Sequence, residues 1–165
     1  MRLGEMAALV IFLSCGGTGT KTPHSAGNCA VHLTGAVTTQ FDCALAFMFW
    51  GTDQGATFNL VTAKNATGYL ATAVIMLAQE PRAGLSWSSA DPGSAYGAIA
   101  VADETALWTV DPARPAYTLT ISSLGVEGGV PGSKAWPSVH GTLTATLTPQ
   151  SGGNATGVVA LSATF

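Results

Sequence analysis

The stretch "CAVHLTGAVTTQFDC", Cys29 to Cys43, puts two thiols and the imidazole of His32 within reach of one another. Cys29 and His32 form a Cys-x-x-His pair, a usable set of zinc ligands, and Cys43 would be a third. A second ordered pair at similar spacing is missing, so no metal site is expected. Asp103 and Glu104 are adjacent carboxylates, the minimum for acid–base work. Between two short strand-like segments such a pair reads as a solvated turn. Trp87 and Trp136 lie in long Gly/Pro/Ser-rich segments, where an indole either stacks on a sugar ring or caps the core. There is no Gly-x-Ser-x-Gly elbow to seat a nucleophile. "GGTGTK" (Gly16–Lys21) falls short of the Walker spacing and follows no strand. No catalytic residue, metal or cofactor is therefore expected, and the chain does not read as an enzyme.

The elements that must position these residues follow from composition. The 165 residues make one ordinary domain, large enough for a single core. Charged residues are only 9%, against about 25% in an average soluble domain. The Lys, Glu, Arg and Gln that build exposed helix faces are scarce, and Gly, Thr, Ala and Val dominate, which suits short strands and turns. Net charge is −3, and the six basic residues are scattered. Nucleic acid needs a concentrated basic patch and is excluded as a partner.

At the N-terminus Met1-Arg2-Leu3 supplies a positive side chain, and Met6 to Leu13 is an apolar run ending at Ser14-Cys15. The run is too short to span a bilayer and has the length of a signal-peptide core. Phe12-Leu13-Ser14-Cys15 resembles the lipobox of bacterial lipoproteins. The resemblance implies cleavage before Cys15, lipid attachment to its thiol, and residence in the cell envelope; Gly16 is no evident inner-membrane retention signal, which points to the outer membrane. Residues 1–14 would be the signal peptide. Residues 15–28, Gly/Thr/Ser-rich and without periodicity, would be a tether. Residues 29–165 would be one β domain, with the membrane as its partner through the lipid anchor.

Export sends the two remaining cysteines to an oxidising compartment. Cys29 and Cys43 flank two alternating arms at equal distances from Ala36. They are expected to form a disulfide across a hairpin, worth about 3 kcal/mol in the chain-entropy model. Farther on, "ATFNLVTA", "YLATAVIML", "YGAIAVA", "ALWTV" and "AYTLTISSL" are strand-like runs between turn signals. The final "HGTLTATLT" and "VVALSATF" alternate most cleanly, with Leu143, Leu147, Leu161 and Phe165 on one face and threonines on the other. The fold expected is all-β, an antiparallel sandwich or small barrel of about eight or nine short strands. Its core should hold Leu33, Phe41, Leu45, Phe47, Phe58, Leu60, Leu119, Ile121, Leu143, Leu147, Leu161 and Phe165.

These readings point to a membrane-anchored lipoprotein whose β domain is structural or binds protein. One alternative is a carbohydrate-binding sandwich, in which Trp87 and Trp136 contact the glycan. The other is a small outer-membrane barrel, since the chain ends in alternating residues and Phe165.

Overall fold

The computed structural model describes residues 29–52, 55–90, 94–111 and 116–165, and there the chain is all strand, turn and loop. The N-terminal residues read as signal peptide and tether, Cys15 included, lie outside the described residues. Twelve strands form: β1 (Ala30–Gly35), β2 (Thr39–Gly51), β3 (Gly55–Thr62), β4 (Leu70–Leu77), β5 (Ser86–Ser88), β6 (Ser94–Ala102), β7 (Leu107–Val110), β8 (Tyr117–Leu124), β9 (Gly128–Val130), β10 (Ser133–Trp136), β11 (Val139–Pro149) and β12 (Val159–Thr164). Eight of them, in the order β1-β12-β11-β7-β6-β4-β3-β2, close into an antiparallel barrel through the β2–β1 pairing. Closure satisfies both edges of the sheet and leaves one face of every strand to fill the interior.

The interior is apolar. Leu33, Phe41, Phe58, Leu60, Leu119, Ile121, Leu143, Leu147, Leu161 and Phe165 are all buried there, as expected. Ala56, Ala71, Ala73 and Ala163 give the large side chains room. The last hairpin has the expected phase: Leu143, Leu147 and Val159 point inward, while Thr142, Thr144 and Thr146 face out. Thr62 is the one buried polar residue among those described. Its hydroxyl donates to the Ala71 carbonyl and accepts from the Ala71 amide, closing the end of the β3–β4 ladder.

The two segments expected to be loops, 79–95 and 124–137, contain β5, the start of β6, β9 and β10. These short strands attach to the barrel where its long strands outrun their neighbours. β11 pairs along one edge first with β8 and then, at Leu147–Pro149, with β7. β8 carries β5 on its far edge. The far end of β2 carries β10, and β10 carries β9. Two glycines permit close approaches. A Cβ on Gly97 would enter the Tyr117 ring, and one on Gly141 would meet the Thr120 carbonyl oxygen and the Phe165 ring.

One core expectation fails. Phe47 is only half-buried and faces outward. The register of β2 against β3 shifts between Cys43 and Leu45. A bulge inserts one residue and inverts the side-chain phase beyond it. Before the bulge Phe41 is inside; after it Ala46 and Met48 are inside, and Phe47 and Phe49 are turned out. The side chain of Leu45, also expected in the core, lies outside the described residues.

Candidate functional site

Past the bulge, the outer faces of β2, β3 and β4 meet in rows. Phe47 lies opposite Asn59, and Asn59 opposite Val74; Phe49 lies opposite Thr57, and Thr57 opposite Met76. Phe49 is 48% exposed, Val74 41% and Met76 40%, with Val61 beside them. The Phe47 and Phe49 rings meet edge to face at 5.1 Å, a favoured aromatic geometry. The rows continue onto β6 through Ala98, the neighbour of Val74, and onto β10 through Ala135, the neighbour of Phe49. Phe47, Phe49, Ala135, Trp136 and Pro137 line a shallow apolar recess of about 280 Å³. The outward positions named here are apolar, Thr or Asn, and none carries a charge.

Charge gathers at the rim. Lys134, opposite Trp50 near the end of β2, donates to Glu80 at 2.7 Å and lies 3.5 Å from Glu127. Its ammonium sits 5.8 Å from the centre of the Trp50 ring, in reach of a cation–π contact. The hydrogen bond to Glu80 pushes the Lys134 pKa up, against the opposing effect of desolvation.

The outer faces of β1, β12, β11, β8 and β5 are mostly hydroxyl-bearing. His32, Ser162, Thr144, Thr118 and Ser88 form one cross-strand row from β1 to β5. Thr164, Thr142, Thr120 and Ser86 form the next, with Ser86 and Thr120 hydroxyls 3.1 Å apart. A groove of about 460 Å³ runs along the first of these rows and takes in Thr34, Ala160 and Thr146 on its other side. Compared with protein-family models, curated proteins and solved structures, the chain matches none.

Cys29 and Cys43 are disulfide-bonded with their Cα atoms 5.1 Å apart. The β1–β2 register, in which Val31 faces Phe41 and Leu33 faces Thr39, brings them opposite each other as the symmetry about Ala36 predicts. Trp87 and Trp136, the candidate glycan contacts, are each only 4% exposed. Trp87 pairs with the core residue Leu119, and Trp136 with the core residue Met48, so both indoles turn inward with their partners. They do not converge on one surface, and Trp136 reaches the surface only along the recess beside Phe47 and Phe49. His32 is exposed on the hydroxyl wall, and the His140 ring lies 3.5 Å from the Ser138 hydroxyl. No cluster of three metal-ligating side chains occurs among the described residues.

Asp103 and Glu104 form the turn that joins β6 to β7. Asp103 accepts the amides of Thr105 and Ala106, each at 2.7 Å, and these bonds hold its carboxyl below the usual pKa. Glu104 turns away to pair with Lys64 at 3.1 Å. The Tyr69 hydroxyl is pushed up, by burial first and by the Asp103 charge second. The two carboxylates are thus engaged separately. The residues that sequence reasoning missed are Phe47 and Phe49 as surface groups. The only signal was that "LAFMFW" is apolar on both faces.

Proposed function

We propose that this protein is an exported lipoprotein of the bacterial cell envelope, anchored through Cys15, whose small barrel is a non-catalytic structural or protein-binding domain. The Cys29–Cys43 disulfide carries the reading. A bridge of this kind persists in an oxidising compartment, and the lipobox-like Phe12-Leu13-Ser14-Cys15 is the feature that would deliver the chain there. The carbohydrate-binding alternative loses its support, since the two indoles it needs are in the core. A barrel spanning the outer membrane would need an apolar band around its whole circumference. The rows of Thr and Ser on β12, β11 and β8 weigh for an anchored barrel over a spanning one.

The test is the intact mass of the protein purified from its native host. The expected species lacks residues 1–14, carries a diacylglyceryl group on Cys15 and is lighter by the two hydrogens of the Cys29–Cys43 bridge. A mature chain that retains Met1 with an unmodified Cys15 thiol overturns the proposal.

A further inference from the structure

We infer that a hollow on the outer face of the β2–β3 hairpin binds a neutral carbohydrate, with the Phe49 ring against the apolar face of a sugar unit and the Asn59 amide on its hydroxyls. The site goes beyond the proposed function by giving the barrel a small ligand. It depends neither on the lipid anchor nor on Trp87 and Trp136.

The hollow comes from small residues placed beside large ones. Phe47, Phe49 and Gly51 share the outward phase of β2, and Asn59, Thr57 and Gly55 of β3 lie opposite them in that order. On the other side of Gly51 comes Ser133 of β10, which follows Gly132. The glycines leave bare backbone where the rings stop. The Phe49 ring, held edge to face by Phe47, thus stands beside a hollow of about 530 Å³. Small-molecule sites span about 300–1,000 Å³. Gly55 has a φ of +73°, and a Cβ there would collide with the Leu77 carbonyl oxygen. That part of the floor is set by backbone and not by a side chain that could fill it.

The lining selects the ligand. Asn59 is half-buried between Phe47 and Val74. Among the described residues its amide makes one bond, to the Thr57 carbonyl at 3.5 Å, the weak limit for a hydrogen bond. An acyl chain laid over this row would take the amide from water and offer it no partner, which is costly. An ionic ligand would find no counter-charge, because no charged side chain lines the hollow. A sugar ring meets both conditions. Its C–H face is apolar and suits an aromatic ring. Its hydroxyls donate and accept, as a carboxamide does. Thr57 and Ser133 add hydroxyls at the rim.

The experiment uses the isotope-labelled full chain in a detergent whose headgroup is not a sugar. Cellohexaose, maltohexaose and chitohexaose are the neutral probes, and hexagalacturonate is the charged control. Binding is read from amide correlation spectra. At least one neutral probe should shift the backbone amides of Gly51, Gly55 and Gly132 and the side-chain amide of Asn59, while hexagalacturonate shifts none of them. Phe49→Ala and Asn59→Leu should each weaken that binding about tenfold, and Phe49→Tyr should keep it within about twofold. Thr144→Ala, on the hydroxyl wall, should leave it unchanged. Asn59→Leu nearly keeps the side-chain volume, so it reports on the amide even where Phe49→Ala fails to fold. Silence from all three neutral probes overturns the inference, as does binding that survives Phe49→Ala and Asn59→Leu. Shifts that map instead to Thr118, Thr144 and Ser162 overturn it too. So do shifts of the Gly51 and Gly55 amides with phosphatidylglycerol vesicles and with no sugar, which would give the face to lipid. A dimer that buries these amides would give it to a second copy. Intact mass of the same sample tests the anchor separately, and an unmodified Cys15 leaves the sugar site standing.

Discussion

The wall of β2, β3 and β4 and the wall of β11, β12 and β1 enclose the same core with opposite outer surfaces. Inside, Phe58 on one and Leu143 on the other are equally buried. Outside, one presents Phe49, Val74 and Met76, the other Thr142, Thr144 and Ser162. Interior packing asks only that every second residue be apolar, so it explains the hydroxyl wall fully. It does not explain the apolar wall, where Phe49, Val74 and Met76 keep two fifths or more of their surface exposed. The difference separates what interior packing requires from what it leaves unexplained.

The largest effects should come from the shared interior and be alike on both sides. Leu143→Ala should cost about 2–5 kcal/mol and Phe58→Ala about 3–5 kcal/mol, while Thr144→Ala stays within about 0.5 kcal/mol, as read from denaturant midpoints. Phe47→Ala decides whether the β2 bulge is where it is described. A cost as large as that of Phe58→Ala would return Phe47 to the core and dissolve the contrast between the walls.

Next in size is the bridge at the start of the apolar wall. Cys29→Ser/Cys43→Ser should lower stability by about 3 kcal/mol in urea or guanidinium titration. An unchanged midpoint would mean that the ladder alone fixes β1 to β2.

Smaller in stability but sharper for the comparison is an exchange of surfaces. Phe49→Asn/Met76→Thr should shorten retention on a hydrophobic-interaction column, and Thr142→Val/Thr144→Val should lengthen it. Substitutions confined to exposed positions should each shift stability by no more than about 0.5 kcal/mol. If the first pair unfolds the protein instead, the apolar wall belongs to folding and not to a partner.

The smallest effect lies at the Asp103 turn, where the barrel passes from β6 toward the hydroxyl side. The amides of Thr105 and Ala106 depress the carboxyl pKa in the folded state. The stabilisation is therefore fully present above the ordinary carboxylate pKa and disappears as pH falls through the lowered folded value. Asp103→Asn should melt slightly below the parent at neutral pH, and the gap should close on acidification. A gap that is constant with pH would show that the charge contributes nothing to the turn.

The hydroxyl wall was legible in the sequence because Thr alternates there with Leu or Ala without interruption from Thr142 to Thr148. The alternation fixes the phase of the strand, and the Cys29–Cys43 spacing about Ala36 fixes the first hairpin in the same way. The apolar wall was not legible. From Leu45 to Trp50 every residue is apolar, so either phase buries hydrophobic groups, and the bulge after Cys43 depends on pairing with β3. β5 and β10 were hidden for a related reason. They are three and four residues long, too short to show a period, and their form comes from β8 and β2 beside them. Trp87 and Trp136 therefore read as loop residues in the sequence, although their cross-strand partners Leu119 and Met48 draw them inside.

The pairing of β1 with β12 bears on the order of events in folding. In the described residues the first strand completes its ladder only against the last, from Ala30 opposite Thr164 to Gly35 opposite Val159. Contacts so distant along the chain form late and slowly, because the intervening loop must be closed before they give any return. A chain emerging in order from a ribosome or a translocation channel cannot complete its barrel until Val159 to Thr164 is free. Until then β2, β3 and β4 can assemble as a meander of successive hairpins, with the opposite side of the core uncovered.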